Sequence, residues 1–263
     1  MAYETILYEK KDRIGIVTLN KPEYLNGIAP GMGREITDVF REMDRDDDVL
    51  VTVFTGAGRA FSSGAFVRDP NTHNLIDPGQ VVGIGRQGTE GGWGSQAMDE
   101  YKKPLIAAVN GAAYGAGFNM ALLADIIIAS TAARFCFPMS NLGIMPAVSG
   151  GPRLMLRVGL SKALEMAIMA RPIDGDEAYR IGLANKVVEP GELMDEAMKW
   201  AYEITKLAPI STRLAKEDIR ESWLHHINQY SNGLRFRLSM LTEDREEGHK
   251  AWREKRPPIF KGR

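Results

Sequence analysis

The sequence predicts an α/β protein with a parallel sheet. Short apolar segments with strand character alternate with helical segments through the first half of the chain, and helical periodicity dominates from Ser149 onward. The chain of 263 residues, with 44% hydrophobic residues, is sufficient for a sizeable core. One main domain is therefore expected.

The first elements are two strands, a helix and a third strand. The segment "TILYEKKDRIGIVTLN" has two apolar runs around a charged turn, which indicates two short strands. The segment "PGMGREITDVFREMDRDDDV" predicts a helix, because Ile36, Val39, Phe40 and Met43 have helical spacing and a run of acidic residues then ends the pattern. The apolar run "VLVTVFTGAG" then predicts a buried strand.

The next elements surround a glycine-rich turn. The segments "PLIAAVNG" and "DIIIAS" predict strands on either side of "YGAGFNMALLAD", which indicates a turn followed by an apolar helix. The preceding segment, "VRDPNTHNLIDPGQVVGIGRQGTEGGWGSQAMDEYKK", is too long and irregular for a simple connector. Segments of this kind often cover a functional site.

The second half predicts a helical layer and one strand. Helical periodicity is present in "KALEMAIMA", "GDEAYRIG", "DEAMKWAYEITKL", "STRLAKEDIRESW" and "GLRFRLSMLTEDREEGHKAWREKR". The segment "LANKVVE" predicts the strand.

Composition and charge exclude several classes of function. The net charge of −1, with interleaved signs, offers no basic patch for nucleic acid and no basic stripe for a membrane. The single cysteine, Cys136, excludes an intrachain disulfide, and the charged N-terminal segment does not read as a signal peptide, so a cytoplasmic location is expected. The histidine pair His225 and His226 lacks the partner ligands that a metal site requires, and no metal is expected.

Six segments spread over nearly the whole chain carry a family resemblance. They are "IGIVTLNKPEYLNGI", "GAGRAFSSGAFV", "KKPLIAAVNGAAYGAGFNMALLADIIIAS", "FCFPMSNLGIMPAVSGGPRL", "GLANKVV" and "EDREEGHKAWREKRPPIFKG". In this order they resemble the crotonase superfamily, also called the enoyl-CoA hydratase/isomerase family. The resemblance implies a crotonase-like ββα spiral over residues 1–200, which holds the acyl-CoA site. It also implies a helical C-terminal region, residues 201–263, that packs across subunits in a homotrimer or homohexamer.

Two glycine turns agree with this resemblance. In "FSSGAF" a glycine after a strand allows a sharp turn that exposes the N–H of Ala65, and in "YGAGFN" the N–H of Ala116 lies at the start of a helix. By resemblance these two N–H groups form an oxyanion hole for a thioester carbonyl. Either turn alone would more often be a packing feature, but their pairing at the family's spacing favours a site.

The resemblance also implies the residues that contact the substrate. Coenzyme A enters as part of the substrate, and no separate cofactor is expected. The predicted contacts are Leu25, Gly27, Ser63, Gly64, Val67, Trp93, Gly115, Met139 and Lys255. For Lys255 and its basic neighbours, pairing with a helix C-terminus is an equally good interpretation.

The chain departs from the family at two catalytic positions. Family hydratases carry glutamates where this sequence has Asn119 and Met139, and an acidic residue that some family isomerases use matches Ala147. An amide orients water but does not accept its proton, and a thioether does neither well. The general acid–base group is therefore expected in the long central segment. Glu90, flanked by glycines near Trp93, is the first candidate and His73 the second, although each is more often a surface loop residue.

Several functions remain open at this point. The first is an acyl-CoA enzyme that stabilises an enolate or oxyanion, as an atypical hydratase or isomerase, a C–C bond hydrolase of a cyclic ketoacyl-CoA, or a hydrolytic dehalogenase. The second is a non-catalytic acyl-CoA-binding protein.

Overall fold

The computed structural model describes residues 3–28, 30–65, 94–146, 150–224 and 241–259. The strands in these ranges are β1 Ile6–Lys11, β2 Ile14–Leu19, β3 Val51–Gly56, β4 Ala60–Ser62, β5 Leu105–Val109, β6 Ala112–Tyr114, β7 Ile126–Ser130, β8 Arg134–Cys136, β9 Ile173–Asp174 and β10 Lys186–Val188. The α-helices are α1 Pro30–Arg45, α2 Ser95–Glu100, α3 Ala116–Leu123, α4 Gly150–Val158, α5 Leu160–Met169, α6 Gly175–Arg180, α7 Leu193–Thr205, α8 Pro209–Leu224 and α9 Glu243–Glu254. Within the same ranges, 3-10 helices span Pro22–Tyr24, Pro138–Leu142 and Pro190–Glu192.

The strands form two sheets. The larger sheet has six strands in the order β1-β2-β3-β5-β7-β10, in which β1 and β2 are antiparallel and the other neighbours are parallel. The smaller sheet has the order β4-β6-β8-β9, with β4, β6 and β8 parallel and β9 antiparallel to β8. The predicted parallel α/β class is therefore confirmed.

The connection between the sheets produces a spiral. The pairs β3–β4, β5–β6 and β7–β8 each place their first strand in the larger sheet and their second strand in the smaller one. In chain order α2, α3 and α4 follow these three pairs, so the strand–strand–helix unit is repeated along the chain. This arrangement is the expected crotonase-like spiral.

Alternate residues of the large sheet pack into two different cores. On one face Val51 and Val53 pack with residues of α7, including Ala197. On the other face Phe54 meets Phe40 of α1 edge to face, with ring centroids 6.0 Å apart. Because these strands are covered on both faces, their sequences are apolar runs rather than alternating patterns.

The C-terminal helices continue from this core. Helix α7 crosses residue 200 and packs on β3, β5 and β7, while α9 packs against the 3-10 helix at 138–142. Within the described ranges, no helix is both long and apolar enough to cross a membrane. The division of the chain at residue 200 and the packing of residues 201–263 across subunits stay predictions.

Candidate functional site

The first glycine turn follows β4. Gly64 has a φ of +92°, a left-handed conformation that glycine adopts without a Cβ penalty. Its carbonyl accepts a hydrogen bond from the N–H of Ile28 at 2.8 Å, and the N–H of Ser63 donates to the carbonyl of Leu25 at 2.9 Å. These bonds fix the turn that presents Ala65 against the loop before α1.

The same loop is held by Asn26, a residue that the sequence reasoning missed. Its fully buried side chain donates to the carbonyls of Ala57 and Ala60 at 2.9 Å and 2.8 Å and accepts from the N–H of Lys21 at 2.9 Å. The hydroxyl of Ser62 donates to the carbonyl of Asn26 at 2.8 Å. The loop that carries Leu25 and Gly27 is therefore bonded on both sides to the first glycine turn.

The second glycine turn joins β6 to α3. Gly115 has a φ of +55° and donates its N–H to the carbonyl of Cys136 at 3.0 Å. Ala116 is the first residue of α3, so its N–H lies at the positive end of the helix dipole. Burial raises the pKa of the neighbouring Cys136 thiol to about 11, which keeps it protonated and unreactive near neutral pH.

The two turns lie against each other. A methyl group placed on Gly64 would lie 2.6 Å from the carbonyl oxygen of Tyr114 and 3.3 Å from the nitrogen of Ala116. A methyl group on Gly117 would lie 2.4 Å from the carbonyl oxygen of Ser62. Among the described residues, no acceptor takes the N–H of Ala65 or Ala116. Two backbone donors from distant parts of the sequence are thus available where the neighbouring parallel strands β4 and β6 end.

Asn119 and Met139 lie beside the second turn. Asn119 is one helical turn after Ala116 and is 3% exposed. Met139, in the 3-10 helix, has its terminal methyl 3.7 Å from the position that a methyl on Gly115 would take. The amide and the thioether do not transfer protons at neutral pH, so these two side chains supply no general base.

Several expected site residues lie outside the described ranges. These are Val67, His73, Glu90 and Trp93, together with Ala147. From the end of the same segment, Asp99 is paired with Arg153 at 2.6 Å and Glu100 accepts from Gln96 at 2.8 Å. In the part of the chain that the structure describes, no cluster of three or more His, Cys, Asp or Glu side chains has metal-binding geometry.

Lys255 lies just after α9. It is exposed and has a left-handed φ of +54° at the helix C-terminus. The next residue, Arg256, bonds Glu247 at 2.6 Å, and this pairing lowers the pKa of Glu247 to about 2. Gly248 packs so closely on Leu142 that an added methyl would lie 2.5 Å from the backbone of Leu142. The helix that carries Lys255 is therefore anchored to the 3-10 helix that carries Met139.

A buried charge cluster surrounds Asp125, just after the end of α3. Asp125 binds Lys216 at 2.8 Å and Arg220 at 3.1 Å, and it accepts from the N–H of Leu105 at 2.8 Å. Burial lowers the pKa of Lys216 to about 8. The sequence signal for this cluster was the spacing of Lys216 and Arg220, which are four residues apart and therefore on one face of α8.

The cluster extends to the helices on either side. Arg220 also donates to the carbonyl of Asp99 at 2.8 Å, which joins the Asp99–Arg153 pair to α8. Arg157 donates to the carbonyl of Ala124, and burial lowers its pKa to about 10. The cluster therefore binds α2, α4 and α8 to the end of α3.

Comparisons with known proteins agree over the whole chain. The family model described as enoyl-CoA hydratase/isomerase matches residues 9–263. A short-chain-enoyl-CoA hydratase from Clostridium acetobutylicum is 36% identical over 262 residues, covering 97% of each chain. A probable enoyl-CoA hydratase from Mycobacterium bovis is 34% identical over 263 residues, covering 99% of each.

Solved structures show the same architecture. An enoyl-CoA hydratase/isomerase from Pseudoalteromonas atlantica superposes with a TM-score of 0.87 at 27% identity, covering 98% of this chain and 100% of the other. A carnitinyl-CoA hydratase from Mycobacterium avium superposes with a TM-score of 0.84 at 28% identity, covering 98% and 99%.

Proposed function

Because this chain belongs to the enoyl-CoA hydratase/isomerase family, we propose that it is an enzyme in which the N–H groups of Ala65 and Ala116 bind the carbonyl oxygen of an acyl-CoA thioester. The observation that carries the proposal is the contact between the two glycine turns. Both donors act on an enolate or tetrahedral oxyanion as negative charge develops on that oxygen. The loss of one such donor typically costs about 3 kcal/mol of transition-state stabilisation.

The proposal also covers binding of the coenzyme A portion of the substrate. The loop with Leu25 and Gly27, bonded to Ser63, provides backbone groups for the pantetheine and adenine portions of CoA. Gly64 allows the two turns to approach closely, Gly115 carries no side chain that would crowd the carbonyl, and Lys255 offers positive charge to the phosphates. No further cofactor is part of the proposal.

In this proposal the proton is transferred by a residue other than those at the two positions of the family's glutamates. A reaction through an enolate needs a positioned acid–base group, and Asn119 and Met139 do not provide one. We place this role on Glu90, with His73 second and Trp93 as the residue that excludes water. An atypical hydratase or isomerase is the first reaction class, and C–C bond hydrolysis, dehalogenation and non-catalytic binding are the alternatives.

Hydration of crotonyl-CoA is expected to be slow, far below ~10³ s⁻¹, the upper part of the usual enzyme range. The physical reason is the absence of both carboxylates that activate water. The measurement is the mass spectrometry of crotonyl-, cyclic ketoacyl- and haloacyl-CoA thioesters incubated with the wild type, Glu90→Gln and His73→Ala. The double variant Asn119→Glu with Met139→Glu is the matched control, in which faster hydration is expected.

The outcomes separate the reaction classes. Fast hydration by the wild type would contradict the account of Asn119 and Met139. If Glu90→Gln and His73→Ala both keep full turnover, the assignment of the acid–base role to these two residues is wrong. Tight binding of every thioester without any product would favour the non-catalytic alternative.

A trimer or hexamer is expected in solution. Leu160, Leu164 and Ile168 form a row at i, i+4 and i+8 on α5, with exposed fractions of 60%, 49% and 66%. Isolated chains seldom leave such a row uncovered. Light scattering is expected to give about three or six times the 29.1 kDa chain mass, and Leu164→Glu with Ile168→Glu to lower it. A monomer of the wild type at micromolar concentration would contradict this prediction.

A further inference from the structure

Helix α3, which begins at Ala116, is held at its opposite end by buried cations. An α-helix leaves its last carbonyl groups without intrahelical partners. The carbonyl of Leu123, the last residue of α3, accepts a hydrogen bond from Nη2 of Arg220 at 2.8 Å. The carbonyl of Ala124, the next residue, accepts one from Arg157. Two arginines from other helices therefore cap the C-terminal end of α3.

Contacts at its two ends define the position of α3 along its axis. All eight residues of the helix are buried, and Asn119 is its one polar side chain. Oδ1 of Asn119 has no hydrogen-bond partner among the described residues, and the other side chains make apolar contacts, which have no directional preference. Displacement of the helix is therefore resisted by the close contact of Gly117 with Ser62 at one end and by the arginine bonds at the other.

The guanidinium group of Arg220 is fixed by three further features. It donates to the carbonyl of Asp99 on α2 at 2.8 Å, and it pairs with the carboxylate of Asp125 at 3.1 Å. Its side chain is 13% exposed, so water has little access to these bonds. Because its donors have a rigid planar arrangement, Arg220 holds the end of α3 in one position relative to α2 and α8.

The charges at this end of α3 favour negative charge at the other end. Among the described residues, the cluster has four cationic and two anionic side chains, namely Arg153, Arg157, Lys216 and Arg220 against Asp99 and Asp125. The surplus of positive charge lies next to the negative end of the helix dipole. Eight residues of α-helix extend about 12 Å, a distance over which buried charges still interact because screening by water and salt is reduced. The cluster therefore favours an oxyanion at the first N–H of the helix.

We infer that Arg220 is a positioning residue for the proposed oxyanion hole, acting through its hydrogen bond to Leu123 and its charge at the C-terminal end of α3. The inference rests on the proposed function, because it takes the thioester carbonyl to be bound at Ala65 and Ala116. Arg220 does not touch the substrate. It holds the helix that carries one of the two donors, and it comes from α8, more than 100 residues further along the chain.

The test is isotope-edited infrared spectroscopy of butyryl-CoA that carries ¹³C at the thioester carbonyl, bound at saturation. Two N–H donors weaken the carbonyl bond, so its stretching frequency in the wild type is expected to be lower than in free butyryl-CoA. In Arg220→Met the Ala116 donor is expected to be displaced, with the loss of about half of this shift or more. Arg220→Lys keeps a cationic donor next to Leu123 and is expected to retain most of the shift.

Lys103→Met is the matched control. Lys103 is 2% exposed, and its Nζ donates to the carbonyls of Met43 and Asp46 at 2.5 Å and 2.6 Å, at the C-terminal end of α1. It therefore caps a helix as Arg220 does, but a helix that carries neither proposed donor. Its substitution is expected to lower the free energy of unfolding and to leave the carbonyl frequency of the bound thioester unchanged.

A second variant keeps the test decisive if Arg220→Met does not fold. Arg220→Gln retains a donor for Leu123 but removes the charge, and a partial loss of the shift is expected. A full shift in Arg220→Gln and in Arg220→Met, where it folds, would overturn the inference and leave the proposed function intact. An equal loss in Lys103→Met would also overturn the inference, since destabilisation alone would then explain the effect. If the wild type does not bind butyryl-CoA, or binds it without a shift, the proposed function is overturned together with the inference.

Discussion

Gly117→Ala is expected to lower kcat/KM by about 10²-fold, the loss associated with a misplacement near 1 Å in an active site. The added methyl would lie 2.4 Å from the carbonyl oxygen of Ser62 and 2.7 Å from its Cβ, so α3 must move away from β4. Because α3 begins at Ala116 and β4 leads into Gly64, this movement separates the two proposed oxyanion donors. The measurement is kcat/KM on the thioester that the panel identifies, with the free energy of unfolding recorded in parallel.

Gly31→Ala is the matched control for this variant. Gly31 is the second residue of α1 as Gly117 is the second residue of α3, but a methyl on Gly31 meets no atom within 4 Å. Its substitution is expected to leave kcat/KM unchanged and to raise the free energy of unfolding slightly, since alanine loses less backbone entropy in a helix. Full activity of Gly117→Ala would show that the contact between β4 and α3 does not set the donor geometry.

Asp125→Ala is expected to lower the free energy of unfolding by about 3–5 kcal/mol, the range for breaking one side of a buried ion pair. The side chains of Lys216 and Arg220 are only 8% and 13% exposed, so without the carboxylate Arg220 keeps an uncompensated buried charge and Lys216 either does the same or releases its proton. The N–H of Leu105 would also lose its acceptor. Since small domains are stable by only about 5–15 kcal/mol, the loss is a large fraction of the total. Urea denaturation followed by circular dichroism measures it.

Two further variants separate the causes. Asp125→Asn keeps an acceptor for Leu105 but removes the charge, and it is expected to be nearly as destabilising because both cations remain buried. Glu165→Ala removes an exposed partner of Lys162, whose pair distance is 3.1 Å, and no resolvable change in stability is expected. An Asp125→Asn variant as stable as the wild type would show that the carboxylate serves Leu105 rather than the two cations.

The sequence predicted the long elements well and the short ones poorly. Strands β1, β2, β3, β5 and β7 of the large sheet and helix α1 were predicted because their patterns extend over five or more residues. The strands β6 and β8 have three residues each and β9 has two, too few for any periodicity to be detected, and three-residue β4 was expected only from the glycine turn that follows it. These short strands nevertheless form the second sheet and bring the two glycine turns together.

Local sequence alone determined the family, the α/β class, the two glycine turns and the replacement of the family's glutamates by Asn119 and Met139. The turns and the replacements each lie within one short motif, and the family and class follow from the order of such motifs along the chain. Tertiary structure alone decided the contact of Gly64 with Ala116, the anchoring of Asp125 by Lys216 and Arg220, and the unpaired state of the Asn119 oxygen. These features depend on residues tens of positions apart, or on the absence of a partner after the chain has packed. A local pattern reports the conformation of its own segment, whereas burial and pairing are properties of the assembled core.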